Sequence, residues 1–398
     1  MKKTRTRQLL YGLCILLFLG LIYGWSVFVT PLEAEFNWQR AQSSLTFTFS
    51  MIFFCLGGFF SGLLLKKFSH RFVLRLSACC LLVGFFFASR VQSLWGIYLS
   101  YGVLCGSGVG LGYNCVLGTV GRWFPEKPGF CSGTLMLGFG IGALILGTGA
   151  SGLIGLIGWR KTFVLLAVVF AAVVAVGAQL IKTPDEQELD ELKRRVSRVD
   201  APQVQSLTPK EMFKTSSVWL LVGWGTLLML VGLAVVGQAV PIALEIGLPL
   251  ALATTVSGLI SVCNGLNRFI TGSLFDKLGR TKTMAIITVL FLVATPLLYF
   301  ATRAKSTALL VAGFLLIGMA YGGVPTLLSA ACSRMYGPKN YAINFSFLNF
   351  HIIPAAVIGP MVFSLVQQAA GSYTPAFLVL LVGCVAAVPL AALLARQK

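Results

Sequence analysis

The chain has 398 residues, of which 57% are hydrophobic and 11% charged, with a mean hydropathy of +0.87. Soluble domains carry about 25% charged residues, so a water-soluble globular class is excluded. The net charge of +19 would suit a nucleic-acid binder, but the charges sit between apolar runs, which argues against that partner.

Twelve apolar runs can be marked, each about 18–25 residues and long enough to span a bilayer as a helix. They fall near 9–30, 44–65, 72–89, 95–119, 131–155, 160–181, 217–240, 250–274, 283–301, 306–330, 341–366 and 374–394. The runs are continuously apolar rather than alternating, which speaks against a β-barrel. The expected fold class is an all-α membrane protein with 12 transmembrane helices in two six-helix, pseudo-symmetric halves.

The opening KKTRTR stands before the first run like a signal peptide. No small-residue cleavage site follows, and Tyr23–Thr30 continues the run, so the expectation is an uncleaved first helix. The fifth run carries Gly133, Gly138, Gly140, Gly142, Gly147, Gly149 and Gly152. Such glycines let helix backbones approach closely and slide, which serves both packing and rocking.

Residues 182–214 form the one long polar segment and divide six runs from six. This gives an N-terminal half at 1–181, a cytoplasmic linker at 182–214 and a C-terminal half at 215–398. Within the linker, TPDEQELDELKRR has Pro184 at a helix start, acids in the first turn and bases in the last. That order suits the helix dipole. A flexible tether remains an open alternative. Thr208 and Glu211 have capping-box spacing just before the seventh run.

The eighth run holds Arg268, eight residues before Asp276. On a helix this sets the arginine about 12 Å inside the border that Asp276 marks. A guanidinium at that depth usually faces a water-filled cavity or an anion; the alternative is that it snorkels to the headgroups. Ser257, Ser261, Asn264 and Arg268 follow at spacings of 4, 3 and 4, on one helix face. In the eleventh run Pro354 and Pro360 mark kinks, and His351, seven residues after Asn344, shares a face with it. That histidine is either a packing residue or a substrate contact.

The two halves repeat. Gly62–Arg71 and Gly272–Thr281 align at an offset of 210, and Arg122-WFPEK and Arg334-MYGPK at 212. Gly106 and Gly110 match Gly318 and Gly322 at the same offset of 212. Paired six-helix halves with a substrate site at their interface are a recurring transporter plan. The side of the membrane bearing both termini collects 24 Lys and Arg, the opposite side 6, and Arg268 completes the 31. That bias sets both termini in the cytoplasm. No His, Asp or Glu pair lies in the apolar runs and no metal-ligand spacing or nucleophile elbow appears, so neither an enzyme nor a cofactor is expected. The 10 cysteines lie in or at the edges of apolar runs, as small core residues.

GSLFDKLGRTK at 272–282 resembles the loop motif between the eighth and ninth helices of the major facilitator superfamily, and 62–71 repeats it with Lys66 at the acidic position. The resemblance implies gating residues at Asp276, Arg280 and Arg71, with Asp276 carrying more of the role because of Lys66. IYGWSVFVTPLE, RWFPEKPGFCSG, GFGIGALILG, GWRKTF, SLTPKEMFKTSSVWLL, AYGG and IGP, in that order, resemble the oxalate/formate antiporter family, which is related to the monocarboxylate transporters. A nitrate porter is disfavoured because Ser44–Leu65 has no arginine.

The resemblance implies that Arg268 binds substrate, that Tyr321 is an aromatic of the tenth helix, and that Tyr23 and Trp25 belong to the first-helix aromatic stretch. It also implies a multi-pass protein of the bacterial inner membrane. Two departures bear on substrate and coupling. The eleventh-helix lysine of the oxalate carrier is absent, and the acid one turn before the arginine in monocarboxylate transporters is Asn264 here.

A guanidinium fork can hold one carboxylate by two parallel charge-assisted hydrogen bonds, and one buried cation neutralises one anion, which suits a monocarboxylate. Tyr23, Tyr113 and Tyr321 would supply hydroxyls and apolar walls, with an interfacial-belt role open for Tyr23 and Trp25. The expected partners are a small organic anion and the lipid bilayer, and the expected working unit is a monomer. Efflux of larger amphipathic compounds and anion sensing without transport are the competing functions.

Overall fold

The computed structural model describes residues 2–185, 187–188, 191–192 and 206–397. Among them the chain is helical nearly throughout, with no strand. The helices are α1 (Lys2–Leu19), α2 (Ser26–Phe36), α3 (Arg40–Leu64), α4 (His70–Ala88) and α5 (Leu94–Gly121). Pro128–Leu180 is one 53-residue helical stretch broken at Gly158 (φ 78°, ψ 159°), giving α6 (128–157) and α7 (159–180). After the short α8 (Pro209–Lys214) comes α9 (Ser216–Glu245). Leu250–Arg303 breaks likewise at Gly279 (φ 77°, ψ 176°) into α10 (250–278) and α11 (280–303). The chain ends with α12 (Thr307–Tyr336), α13 (Tyr341–Asn349), α14 (Ile352–Ala370) and α15 (Thr374–Arg396).

Ten helical stretches among the described residues are long and apolar enough to span a membrane. Two of them are the stretches broken at Gly158 and Gly279, so twelve crossings result. Both breaks use a left-handed backbone angle that glycine adopts without a Cβ penalty. Large apolar side chains project outward along these helices, among them Leu156, Trp95 and Val382. Such a surface is stable against lipid and costly against water.

Two spans are interrupted, the first where an unbroken helix was expected and the eleventh beside the expected kink at Pro354. The first is interrupted by a 3₁₀ turn at Gly20–Gly24. The cause is close packing: a Cβ on Gly20 would strike the carbonyl of Phe139, and one on Gly142 would strike that of Leu17. Gly138 faces the Leu13 carbonyl oxygen at 2.8 Å in the same seam, whereas Gly149 and Gly152 face open space. The fifth-span glycines therefore divide into packing positions and free ones. The eleventh span is interrupted at Phe350–His351, because Pro354 has no N–H to return to the Phe350 carbonyl. Ile353 N–H donates to that carbonyl instead, at 3.1 Å.

The chain forms two compact units, Met1–Pro209 with Cys332–Phe347, and Lys210–Ala331 with Leu348–Lys398. In the first unit α3 and α5 touch along glycines. Gly110 abuts the Phe54 carbonyl, and Gly106 lies 2.7 Å from the Ser50 carbonyl oxygen for an added Cβ. In the second unit α10 and α12 do the same. Gly322 abuts the Asn264 carbonyl, and Gly318 lies 2.5 Å from that of Ile260. Ser50 and Ile260, like Phe54 and Asn264, are 210 residues apart, so the sequence repeat is also a repeat of contacts.

The linker helix expected over 183–195 falls largely outside the described residues. Its start is visible as a reciprocal cap, with Glu188 N–H donating to Asp185 Oδ1 at 2.8 Å and Asp185 N–H to Glu188 Oε2 at 3.1 Å. Six of the ten cysteines are buried, and Cys14 and Cys79 are exposed.

Candidate functional site

In the second unit, α10 carries Asn264 and Arg268 on one face. Arg268 is 2% exposed and ranks among the largest fully buried side chains. Snorkelling is thereby set aside, since the guanidinium does not reach the helix surface. Its Nε donates to Asn264 Oδ1 at 3.1 Å, one turn back. Among the described residues no carboxylate lies within ion-pair distance of it, and neither terminal nitrogen has a hydrogen-bond partner. Of the serines on the same face, Ser257 Oγ is buried without a partner and Ser261 is exposed.

The glycine seam decides what stands beside this pair. Because Gly318 and Gly322 lack side chains, α12 lies directly against the Ile260–Asn264 turn of α10. Tyr321 is buried next to that contact, its ring over Gly232 of α9. The seam is also held by Asn267, which the sequence reading passed over. Its amide donates to Met319 O at 2.6 Å and to Thr271 Oγ1 at 2.9 Å. Asn267 is thus a locking residue, and it leaves Asn264 to the arginine. An asparagine adjacent to a buried arginine within an apolar run was the available signal.

His351 sits at the break between α13 and α14 and is 1% exposed. Its Nδ1 donates to Leu348 O at 2.7 Å, which makes Nε2 the lone-pair nitrogen of the neutral ring, and that atom is buried without a partner. The ring lies over Gly225, whose Cβ would meet Cδ2 at 3.3 Å. The face expected to join Asn344 and His351 does not exist as one helix, because the break falls between them. Asn344 instead donates to Leu207 O at 3.0 Å within the first unit.

In the first unit the expected aromatics gather on Phe139 of α6. Tyr113 of α5 lies 4.8 Å from it by ring centroid and Tyr23, in the 3₁₀ turn, 5.3 Å. Phe54 adds a ring 5.1 Å from Tyr113. Tyr113 is buried and Tyr23 half-buried. Trp25 is neither a belt residue nor part of that cluster. It is buried, its indole N–H donates to Ser43 O at 2.9 Å, and its ring packs 4.5 Å from Tyr101. Tyr101 lies in a π-helical turn, Tyr98–Cys105, with its hydroxyl buried and unpartnered. The sequence reading missed it, since a π-turn leaves no mark on periodicity.

The gating candidates are placed as follows. Asp276 lies half-buried in the last turn of α10. Arg280, just past Gly279, donates from Nη2 to Leu394 O and Gln397 O, each at 2.8 Å, and so caps the C-terminus of α15. A cation there also complements the helix dipole. Arg71 is exposed in the first turn of α4.

Comparison with known proteins bears on the whole chain. An MFS-type transporter of Escherichia coli K12, YhjX, is 29% identical over 353 residues, covering 87% of this chain and 86% of that one. The oxalate:formate antiporter of Oxalobacter formigenes is 26% identical over 331 residues, 81% of this chain and 76% of its own. Monocarboxylate transporter 12 of Rattus norvegicus is 28% identical over 320 residues, 74% and 65%. Among solved structures, the proton:xylose symporter XylE superposes with a TM-score of 0.74 at 15% identity, over 97% of this chain and 94% of that one, a likeness of fold. The profile of the Major Facilitator Superfamily matches residues 10–360 and again 225–398. With its twelve apolar helices, the chain belongs to the Major Facilitator Superfamily and is a multi-pass membrane transporter, not an enzyme.

Proposed function

We propose that this transporter carries small organic anions, foremost monocarboxylates, by alternating access with anion exchange. The observation that carries the reading is Arg268, buried at 2% exposure and held by Asn264 through Nε, with no carboxylate beside it among the described residues. A buried cation left without a counter-charge is costly, and a bound carboxylate supplies one. The two free terminal nitrogens form a planar fork of the width a carboxylate needs.

One cation favours one negative charge, so a monocarboxylate fits better than a dicarboxylate. The relatives agree in chemistry, since one is an oxalate:formate antiporter and another a monocarboxylate transporter. The wider setting is a bacterial inner membrane with both termini in the cytoplasm, a reading supported by the Lys and Arg bias. The domain plan is a six-helix half at each end of a cytoplasmic linker, working as a monomer. The direct test is counterflow of labelled formate, acetate, lactate and oxalate in proteoliposomes. Exchange of a monocarboxylate supports the proposal, and no flux of any of the four refutes it.

A further inference from the structure

Outside the arginine site, the first unit contains a cavity of about 330 Å³ whose walls come from four places in the sequence, Thr183 of the linker being one. Lys66 and Ser69 stand in the turn after α3 and His70 at the start of α4. Thr119 and Arg122 are at the end of α5, and Lys339 and Asn340 lie in the turn before α13. Among the described residues no acidic one lines it. Among the described residues no carboxylate pairs with Lys66, Arg122 or Lys339. Three cations from distant segments thus converge on one concavity, and no described carboxylate neutralises them.

Dispersed positive-inside charges would not need this arrangement, since headgroup-facing cations repel and separate. Lys66 sharpens the point. Its counterpart in the second repeat, 210 residues on, is Asp276, so the charge is inverted at this one position. His70 is already engaged, its Nε2 donating to Ile181 O at 2.9 Å, and so it shapes the wall.

We infer that this cavity binds a phosphate group, as a second anion site separate from Arg268. A phosphate monoester carries about two negative charges and three acceptor oxygens at neutral pH, which matches three converging cations better than a monocarboxylate does. Arg122 offers a fork and the two lysines point charges. The first turn of α4, 19 residues long, adds backbone N–H groups and the positive end of its dipole. The phosphate comes either from a soluble monoester or inorganic phosphate, or from the headgroup of an anionic phospholipid.

The test uses the full-length protein, in detergent and in nanodiscs. In detergent, inorganic phosphate at constant ionic strength should raise the melting temperature relative to chloride. Lys66→Gln and Lys339→Gln should each weaken the apparent affinity about tenfold, the scale of one charge-assisted contact. Both lysines are exposed, so the variants should fold. Arg75→Gln, on an exposed face of α4 outside the cavity, should respond as wild type.

In the second arm, nanodiscs of phosphatidylcholine alone are compared with nanodiscs containing phosphatidylglycerol. Stabilisation by phosphatidylglycerol that is lost in Lys66→Gln assigns the site to the bilayer, and a response to inorganic phosphate alone assigns it to the cytosol. Arg268→Ala should keep either response, which separates this site from the carrier site. No phosphate or phosphatidylglycerol effect, or an effect undiminished from wild type in both Lys66→Gln and Lys339→Gln, overturns the inference.

Discussion

Asn264 Oδ1 accepts the hydrogen bond that Arg268 Nε donates, at 3.1 Å and one helical turn away. The bond aims the guanidinium without neutralising it, because an amide oxygen carries no charge. A carboxylate at the same place would hold the arginine equally well and cancel its appetite for an anion. The pair therefore reads as an oriented, unpaid cation, ready for a ligand to complete it.

Removing that cation should remove binding. Arg268→Ala is expected to lower carboxylate affinity by at least about a hundredfold, since a charge-assisted bidentate contact contributes about 3 kcal/mol or more. Arg268→Lys should bind weakly, because a point charge lacks the fork. Isothermal titration of purified, correctly inserted protein checks both, and wild-type affinity in Arg268→Ala would refute the assignment.

The Asn264 side chain can be tested apart from the charge. Asn264→Leu should cost about tenfold in affinity by freeing the guanidinium to reorient and stranding its Nε. Asn264→Asp should cost more at pH 7, because the new carboxylate occupies the arginine. An Asn264→Asp protein that binds as well as wild type would mean that Arg268 is not the anion's partner.

The spans were legible in the sequence because twenty apolar residues in a row have few other uses. The repeat was legible too, and Gly106, Gly110, Gly318 and Gly322 prove to be its contact points. What could not be read was the break inside the first span. Gly20–Gly24 departs from the helix where Phe139 and Gly142 of α6 press on Gly20 and Leu17, a tertiary contact with no local signature. The fate of neighbouring polar residues was hidden for the same reason. Asn264 and Asn267 are three residues apart, yet one meets an arginine and the other locks a seam. Only the packing of α12 against α10 distinguishes them.

That packing makes its own prediction. Gly322→Ala would drive a methyl into the Asn264 carbonyl, and Gly110→Ala one into that of Phe54. Overpacking of this kind costs about 1–3 kcal/mol. Both variants should melt several degrees lower, but Gly322→Ala alone should also weaken carboxylate binding, since it displaces the turn that carries Asn264. Equal loss of binding in the two variants would show a general effect of stability.

Arg280 and Asp276 flank the turn at Gly279. Arg280 ties that turn to the end of α15 through Leu394 O and Gln397 O. Arg280→Ala should leave these terminal carbonyls to water and raise amide exchange over the last turn of α15. Asp276→Asn should slow counterflow while equilibrium substrate affinity stays within severalfold. Unchanged flux in Asp276→Asn would reduce the motif to a turn in this protein.

The last prediction concerns coupling. Proton symport needs a group that titrates as the carrier cycles, and carboxylates or histidine are the usual ones. Glu33, Glu35 and Glu245 stand at span ends, Asp276 is at a turn, and Asn264 does not titrate. An empty carrier must reorient with Arg268 uncompensated, whereas a loaded one has its charge matched, so return is favoured only with substrate bound. His70 stands at a helix start, so among the described residues His351 is the exception within a span, buried with Nδ1 committed to Leu348 O and Nε2 without a partner. A proton on Nε2 would put a second positive charge in a buried place with no partner beside it. Counterflow should therefore need anion on both sides of the liposome membrane, run without a proton gradient, and survive in His351→Gln. Net uptake into empty liposomes driven by an inward proton gradient, and abolished in His351→Gln, would replace exchange with symport and make His351 the proton carrier.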